Sequence, residues 1–239
     1  MEELAAYLHL TPAEIERLIA DEELPSEERG DRVVFRKQDI DAWASQRILG
    51  LKDRPLAEYH DKTSYGTRKL FENEAIMPEM LQPRAMEPAL KAKTKASALR
   101  EMVVLAEKTG KVFDSKDLLA SLVAREDLCS TALPGGLAVL HPRHHEPYMF
   151  ESSFVVIGRA IQELHFGAPD GQPTHLLFLV CCQDDRIHLH TLARLCLMAL
   201  KTDVLNQLRC APDAATMYDY IIAAEQQVLG DKKAKARSS

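Results

Sequence analysis

The apolar positions of this chain change period several times, and each change marks a new element. From Thr94 the pattern is helical: Leu99, Met102, Val103 and Ala106 recur at i, i+3, i+4 and i+7, and Gly110 supplies the stop. Asp114 or Ser115 caps the next helix, whose inner face is Leu118, Leu119, Leu122 and Val123. Three short apolar runs then read as buried strands: 137–140 behind Gly135-Gly136, 154–157, and 176–180. Asp184-Asp185 opens a helix with Leu189, Leu192, Leu195, Cys196 and Ala199 inward, and a last helix carries Met217, Tyr220, Ile221 and Ala224. Helices on both sides of a small mixed sheet predict a three-layer α/β/α domain over residues 91–229, in an α+β chain. The polar, basic segment 230–239 is expected to be disordered.

The first fifty residues form a separate, smaller pattern. Leu4, Ala5 and Leu8 make a short apolar face. Thr11, Pro12 and Glu14 spell a helix start, with a hydroxyl N-cap, proline at the first helical position and a carboxylate at the third. Ile15, Leu18 and Ile19 face inward, Arg29-Gly30-Asp31 turns into the strand-like Val33-Val34-Phe35, and Asp39 to Trp43 begins another helix. Two helices, a hairpin and a helix outline a small, mostly helical winged helix-turn-helix over residues 1–50. Residues 51–90 carry Pro55, Gly66, Pro78, Pro83 and Pro88 without a persistent apolar face, and read as a linker with short helical pieces.

Composition narrows the class. The chain has 239 residues, 46% hydrophobic and 28% charged, which supplies real cores and a soluble surface. No apolar run approaches the roughly 18–20 residues a membrane span needs, and the acidic start MEELAAYL lacks a basic secretory n-region, so a cytoplasmic protein with no membrane partner is expected. Cys129, Cys181, Cys182, Cys196 and Cys210 lack CxxC spacing and read as reduced thiols. The net charge of −6 is concentrated in residues 1–50, which hold six Lys and Arg against twelve Asp and Glu.

Five of the nine histidines fall in two places, His141, His144 and His145 after one strand, and His188 and His190 at the start of a helix. A strand ending in His141 delivers an imidazole to the sheet rim, where ligands bind in α/β architectures. A helix beginning near His188 aims free backbone N–H groups at the same rim, worth about 0.3–1 kcal/mol for a bound anion. Two plainer readings compete. A histidine at a strand end is ordinarily a partly buried polar group. A metal site would want a helical i, i+4 histidine pair or cysteine ligands, which these clusters lack, and no cofactor is expected.

Three segments resemble the enzyme IIA domain of the mannitol/fructose class of the bacterial phosphotransferase system, above all its nitrogen-regulatory branch. They are Ala124-Arg125-Glu126-Asp127-Leu128 with Ser130-Thr131, Gly136-Leu137-Ala138-Val139-Leu140-His141, and His188-Leu189-His190-Thr191-Leu192-Ala193. Phe166-Gly167-Ala168-Pro169-Asp170-Gly171-Gln172-Pro173 before an apolar strand is also similar, and the order holds over roughly 130 residues (Lys95 to Glu225). The resemblance implies a phosphohistidine phosphotransferase in which His141 receives a phosphoryl group on Nε2 from the carrier protein HPr, Arg125 pairs with the phosphoryl oxygens, and His188 donates a hydrogen bond. Taken alone, Arg125 also reads as a helix-terminal arginine paired with Glu126. The family's proline before the histidine is Leu140 here, with Pro142 after it, so the presentation of His141 differs and a degenerate, unphosphorylated domain is the rival.

Residues 1–50 resemble the excisionase/MerR-like winged helix-turn-helix. Their second helix, 13–23, carries one arginine among five acids, and counterion release by Lys and Arg drives DNA binding, so charge disfavours an operator. A protein-docking or dimerising role is preferred. The expected partners are HPr and a regulatory target that the sequence does not name, with room for a homodimer. The alternatives are a DNA-binding transcriptional regulator with an enzyme IIA-like sensor, and a sugar-uptake component serving an enzyme IIB.

Overall fold

Side-chain parity along three central strands sets the architecture. In a computed structural model that describes residues 1–30, 32–67, 70–143 and 148–237, Leu137 and Val139 share one core with Leu176, Phe178 and Val180, while Ala138 and Leu140 share another with Leu177, Leu179 and Cys181. Strands buried on both faces divide their side chains between two layers in this way.

The chain runs through α1 (Glu2–Leu8), α2 (Pro12–Ala20), β1 (Glu27–Arg29), β2 (Arg32–Val34), α3 (Lys37–Gly50) and α4 (Asp53–Thr67). It continues through α5 (Met77–Met80), a 3₁₀ turn (Pro83–Ala85), β3 (Met86–Leu90), α6 (Lys95–Glu107), α7 (Ser115–Leu128), β4 (Ala132–Leu133) and β5 (Leu137–Leu140). It ends with β6 (Phe154–Leu164), β7 (Thr174–Cys181), α8 (Asp185–Lys201), α9 (Val204–Cys210) and α10 (Ala214–Arg237). The sheet order is β3-β6-β7-β5-β4, mixed as expected: β3 runs parallel to β6 and β5 parallel to β7, while the other pairs are antiparallel. Helices α6 and α7 cover one face, and α8, α9 and α10 the other. Gly158 of β6 is needed for this packing, because a Cβ there would stand 2.2 Å from Leu90 Cδ1 and 2.8 Å from Met102 Sδ.

The N-terminal outline of two helices, a hairpin and a helix is present. Thr11 caps α2 in a capping box with Glu14, and Ala5, Leu8, Ile15, Leu18, Leu24, Ile40, Ala44 and Ile48 are buried. Their core is continuous with Leu189, Leu192, Ala193 and Cys196 of α8.

Two segments differ from expectation. Residues 51–90, read as a linker, supply the edge strand β3 and the 15-residue helix α4, which packs along α8. Pro55 sits in the first turn of α4 and Pro88 in an edge strand, the positions where a missing N–H costs least. The 230–239 tail, expected to be disordered, continues α10 as far as Arg237; its lysines, alanines and arginine are good helix formers, and cations suit a helix C-terminus. Among the described residues no helix is long and apolar enough to cross a membrane, and none of the five cysteines is in a disulfide.

Candidate functional site

The parity that sends Leu137 and Val139 toward α8 also sends His141, two residues further along, to the same side. There its ring centroid lies 5.0 Å from that of His188, in the first turn of α8. Leu140, where the resembling family has proline, remains in the ladder opposite Leu179 and fills the α6–α7 core. Arg125 comes from the last turn of α7, and its Nε donates to His141 Nε2 at 3.0 Å. Three residues separated widely in the sequence therefore converge, and each is only 2% exposed.

The hydrogen bonds assign the His141 tautomer without reference to hydrogen positions. Nδ1 lies 3.0 Å from the Val139 carbonyl oxygen, which can only accept, so Nδ1 carries the proton. Arg125 can only donate, so Nε2 holds the lone pair. His141 is thus a neutral imidazole with its nucleophilic nitrogen facing a guanidinium. Arg125 is anchored by Nη1 to the Cys129 carbonyl at 3.1 Å and to Cys129 Sγ at 3.3 Å, while its Nη2 is buried with no hydrogen-bond partner among the described residues. An unpaired buried N–H is costly and asks for an acceptor, and phosphoryl oxygens would supply one.

The alternative pairing of Arg125 with Glu126 does not occur. Glu126 is taken by Lys95 Nζ at 2.9 Å and by the N–H and hydroxyl of Thr131 at 3.1 and 2.7 Å. The expected open helix N-terminus is also absent, because Asp184 caps α8 and accepts from the N–H groups of Arg186 at 2.7 Å and Ile187 at 3.3 Å. Burial pushes the Asp184 carboxyl up, but these bonds and the Arg186 guanidinium outweigh it and hold it below its ordinary value. His144 and His145 lie outside the described residues. Among those described, no group of three or more His, Cys, Asp or Glu is placed to hold a metal ion.

A second cluster repeats the chemistry with a different outcome. His60 of α4 accepts from Arg194 Nε at 2.7 Å, and its ring stacks on His190 at 5.2 Å. Here the arginine also donates to Glu225 at 2.5 Å and to the Glu74 carbonyl at 3.3 Å. Thr63 donates to the His60 carbonyl, so His190 Nδ1 donates to the Thr63 hydroxyl at 2.9 Å. Four of the five N–H donors of Arg194 are used within the chain, and through His60 and Thr63 this cluster ties α4 to the domain.

One contact gave no signal in the sequence. Ser45, on the buried side of α3, shares a 3.1 Å hydrogen bond with His188 Nε2, so the helix-turn-helix unit reaches into the site. Arg143 carries no motif signal either; its N–H donates to Ser121 Oγ at 2.9 Å, and its buried Nε has no partner among the described residues.

Residues 79–224 match the family described as phosphoenolpyruvate-dependent sugar phosphotransferase system, EIIA 2, and residues 1–48 match a helix-turn-helix domain. The nitrogen regulatory protein of Bradyrhizobium diazoefficiens is 31% identical over 146 residues, spanning 60% of this chain and 92% of that protein. The crystal structure of nitrogen regulatory protein IIA-Ntr from Neisseria meningitidis superposes with a TM-score of 0.55 at 24% identity, covering 61% of this chain and 99% of that one. The mannitol enzyme IIA of Escherichia coli, in its complex with phosphorylated enzyme IIB, gives 0.52 at 19% identity over 60% of this chain and 97% of its own. With order, fold and sequence in agreement, the chain belongs to the EIIA 2 family of the phosphoenolpyruvate-dependent sugar phosphotransferase system, here joined to an N-terminal helix-turn-helix domain.

Proposed function

We propose that this protein is a regulatory phosphoacceptor that takes a phosphoryl group on His141 Nε2 from the phosphohistidine of an HPr-type carrier. The observation that carries the reading is the forced tautomer. Val139 holds the proton on Nδ1, which leaves the Nε2 lone pair beside Arg125, whose buried Nη2 has no partner among the described residues. In the transfer the donor's P–N bond breaks as the P–Nε2 bond forms; the Nδ1 proton stays, and the Val139 carbonyl stabilises the charge that develops on the ring. Arg125 shifts its donors from Nε2 to the phosphoryl oxygens. Positioning and charge neutralisation are most of what such a reaction requires. His188 stands within reach to donate to the same oxygens. A regulatory rather than sugar-delivering role is favoured by the likeness to nitrogen regulatory proteins.

The test is incubation of the whole chain with phosphoenolpyruvate, enzyme I and HPr, followed by mass spectrometry. The expected result is one acid-labile phosphoryl adduct that His141→Ala abolishes. An adduct that survives in His141→Ala would move the site to another histidine.

A further inference from the structure

The protein's own N-terminal unit packs against the phosphoacceptor site at His188, the neighbour of the buried His141 ring. Ser45 hydrogen-bonds His188 at 3.1 Å, and Lys37 at the start of α3 reaches Asp185 at the start of α8 at 2.8 Å while also holding Asp41 at 3.1 Å. Tyr7 donates to the same Asp41, so α1, α3 and α8 are joined through one polar chain. Beneath it, Ile40, Ala44 and Ile48 belong to the same apolar core as Leu189 and Leu192. A folded carrier protein cannot bring its phosphorus within bonding distance of a nitrogen on a ring buried this deeply.

The two N-terminal pieces are attached differently. Helix α4 is locked by His60–Arg194 at 2.7 Å and Thr63–His190 at 2.9 Å, both buried, with Leu56 and Tyr59 in the core. Residues 1–50 meet α8 through α3, whose Ile40, Ala44 and Ile48 join the α8 core beside the polar contacts Ser45–His188 and Lys37–Asp185, without, among the described residues, a buried arginine–histidine lock of the kind that holds α4. Between them lies a short junction, Leu51 to Asp53, in which Asp53 has a positive φ of 47°. That backbone conformation is disfavoured for a residue with a Cβ, and changing it costs little.

We propose that residues 1–50 act as a hinged cover over the phosphoacceptor site, swinging about Leu51–Asp53 while α4 stays docked, so that covering and phosphorylation exclude one another. The proposal rests on His141 being the acceptor. Two couplings follow. In the resting chain the protein donor meets only the open fraction, which lowers its apparent rate by that fraction. Once His141 carries a phosphoryl dianion, closing α3 would bury that charge beside Asp41 and Asp185, so the released unit is the molecule's output. A helix-turn-helix too acidic to favour DNA finds its docking partner in the enzyme IIA domain of the same chain.

The experiment uses the full chain, because deleting residues 1–67 would bare the apolar face of α8. Amide hydrogen exchange is followed by peptide in wild type before and after phosphorylation by phosphoenolpyruvate, enzyme I and HPr. Phosphorylation rate at limiting phospho-HPr is compared between wild type and Lys37→Glu, which sets a third acid beside Asp41 and Asp185 on a mostly exposed side chain. The expected results are faster exchange over 37–50 in the phosphorylated protein with 53–67 unchanged, and a rate about three- to tenfold higher for Lys37→Glu. Full phosphorylation with unaltered exchange over 37–50 and an equal rate for Lys37→Glu would overturn the cover and leave the acceptor intact. No adduct on either protein would remove the acceptor, and the cover with it.

Discussion

Arg194 and Glu225 form an ion pair at 2.5 Å with both side chains 1% exposed, in a region whose polar atoms bind the N-terminal helices to the enzyme IIA domain. Burial pushes the Glu225 carboxyl up in spite of Arg194, so desolvation outweighs the pairing. Such a pair adds little over an apolar substitute, yet removing one member strands the other.

Glu225→Ala therefore orphans Arg194 and also the N–H groups of Ile76 and Met77, which Glu225 accepts at 2.9 and 3.0 Å. The expected loss is about 3–5 kcal/mol. At roughly 2–4 °C per kcal/mol for a chain of this size, the melting temperature falls by on the order of 6–20 °C. Thermal unfolding followed by circular dichroism checks this, and a fall of under 2 °C contradicts it.

Val139 keeps the proton on His141 Nδ1, and Arg125 donates to the lone pair on Nε2. In wild type, ¹⁵N shifts of His141 should report a neutral ring protonated on Nδ1. Arg125→Ala should leave the proton on Nδ1, held by Val139, and slow phosphorylation by roughly a hundredfold, the usual scale for losing one charge-stabilising donor. Arg125→Lys should recover only part of that rate, because an ammonium lacks the planar fork.

Glu14 offers a titration with a clear sign. The Thr11 amide above all, and also the Thr11 hydroxyl and Lys62, outweigh partial burial and hold its carboxyl down at about 2. A carboxyl with a depressed folded pKa stabilises above its unfolded value of about 4.3 and loses that contribution as pH falls toward the folded one. Glu14→Gln should thus be less stable than wild type at pH 6, and the two curves should converge as pH falls from about 4.5 to 2. Urea unfolding across that range would expose a gap that stays constant, contrary to expectation.

The thiols should react in a fixed order. Cys210 is exposed, Cys129 half-buried against Arg125, and Cys181, Cys182 and Cys196 buried. Burial pushes the Cys196 thiol up to about 12 and raises those of Cys181 and Cys182 as well. A native-state alkylation course should show one fast thiol, one slow thiol and three that respond only to denaturant. Early labelling of Cys196 would contradict this burial.

The fold was legible wherever apolar periodicity carried it. Strands 137–140 and 176–180, the α6 face and the capping box at Thr11 all stand where the pattern puts them. Helix α4 escaped because its inward positions, Leu56, Tyr59, His60, Thr63 and Thr67, keep helical spacing with mostly polar residues. A polar buried face exists only when a partner supplies matching groups, here Arg194 and His190. His141, His188 and Arg125 were legible through motif order, and the period-two alternation explains why the first faces the second. The contact of Ser45 with His188 had no local signature, since it depends on how two separately patterned units meet.

The Asp184 cap bears on how firmly a phosphoryl group would be kept. An α-helix whose leading amides are already satisfied by a carboxylate has little left with which to trap a dianion one turn later. Among the described residues, product stabilisation would then rest mainly on Arg125 and the imidazole of His188, and the P–N bond would retain most of its transfer potential. A loosely held group leaves as readily as it arrives, which suits a reversible relay better than a store.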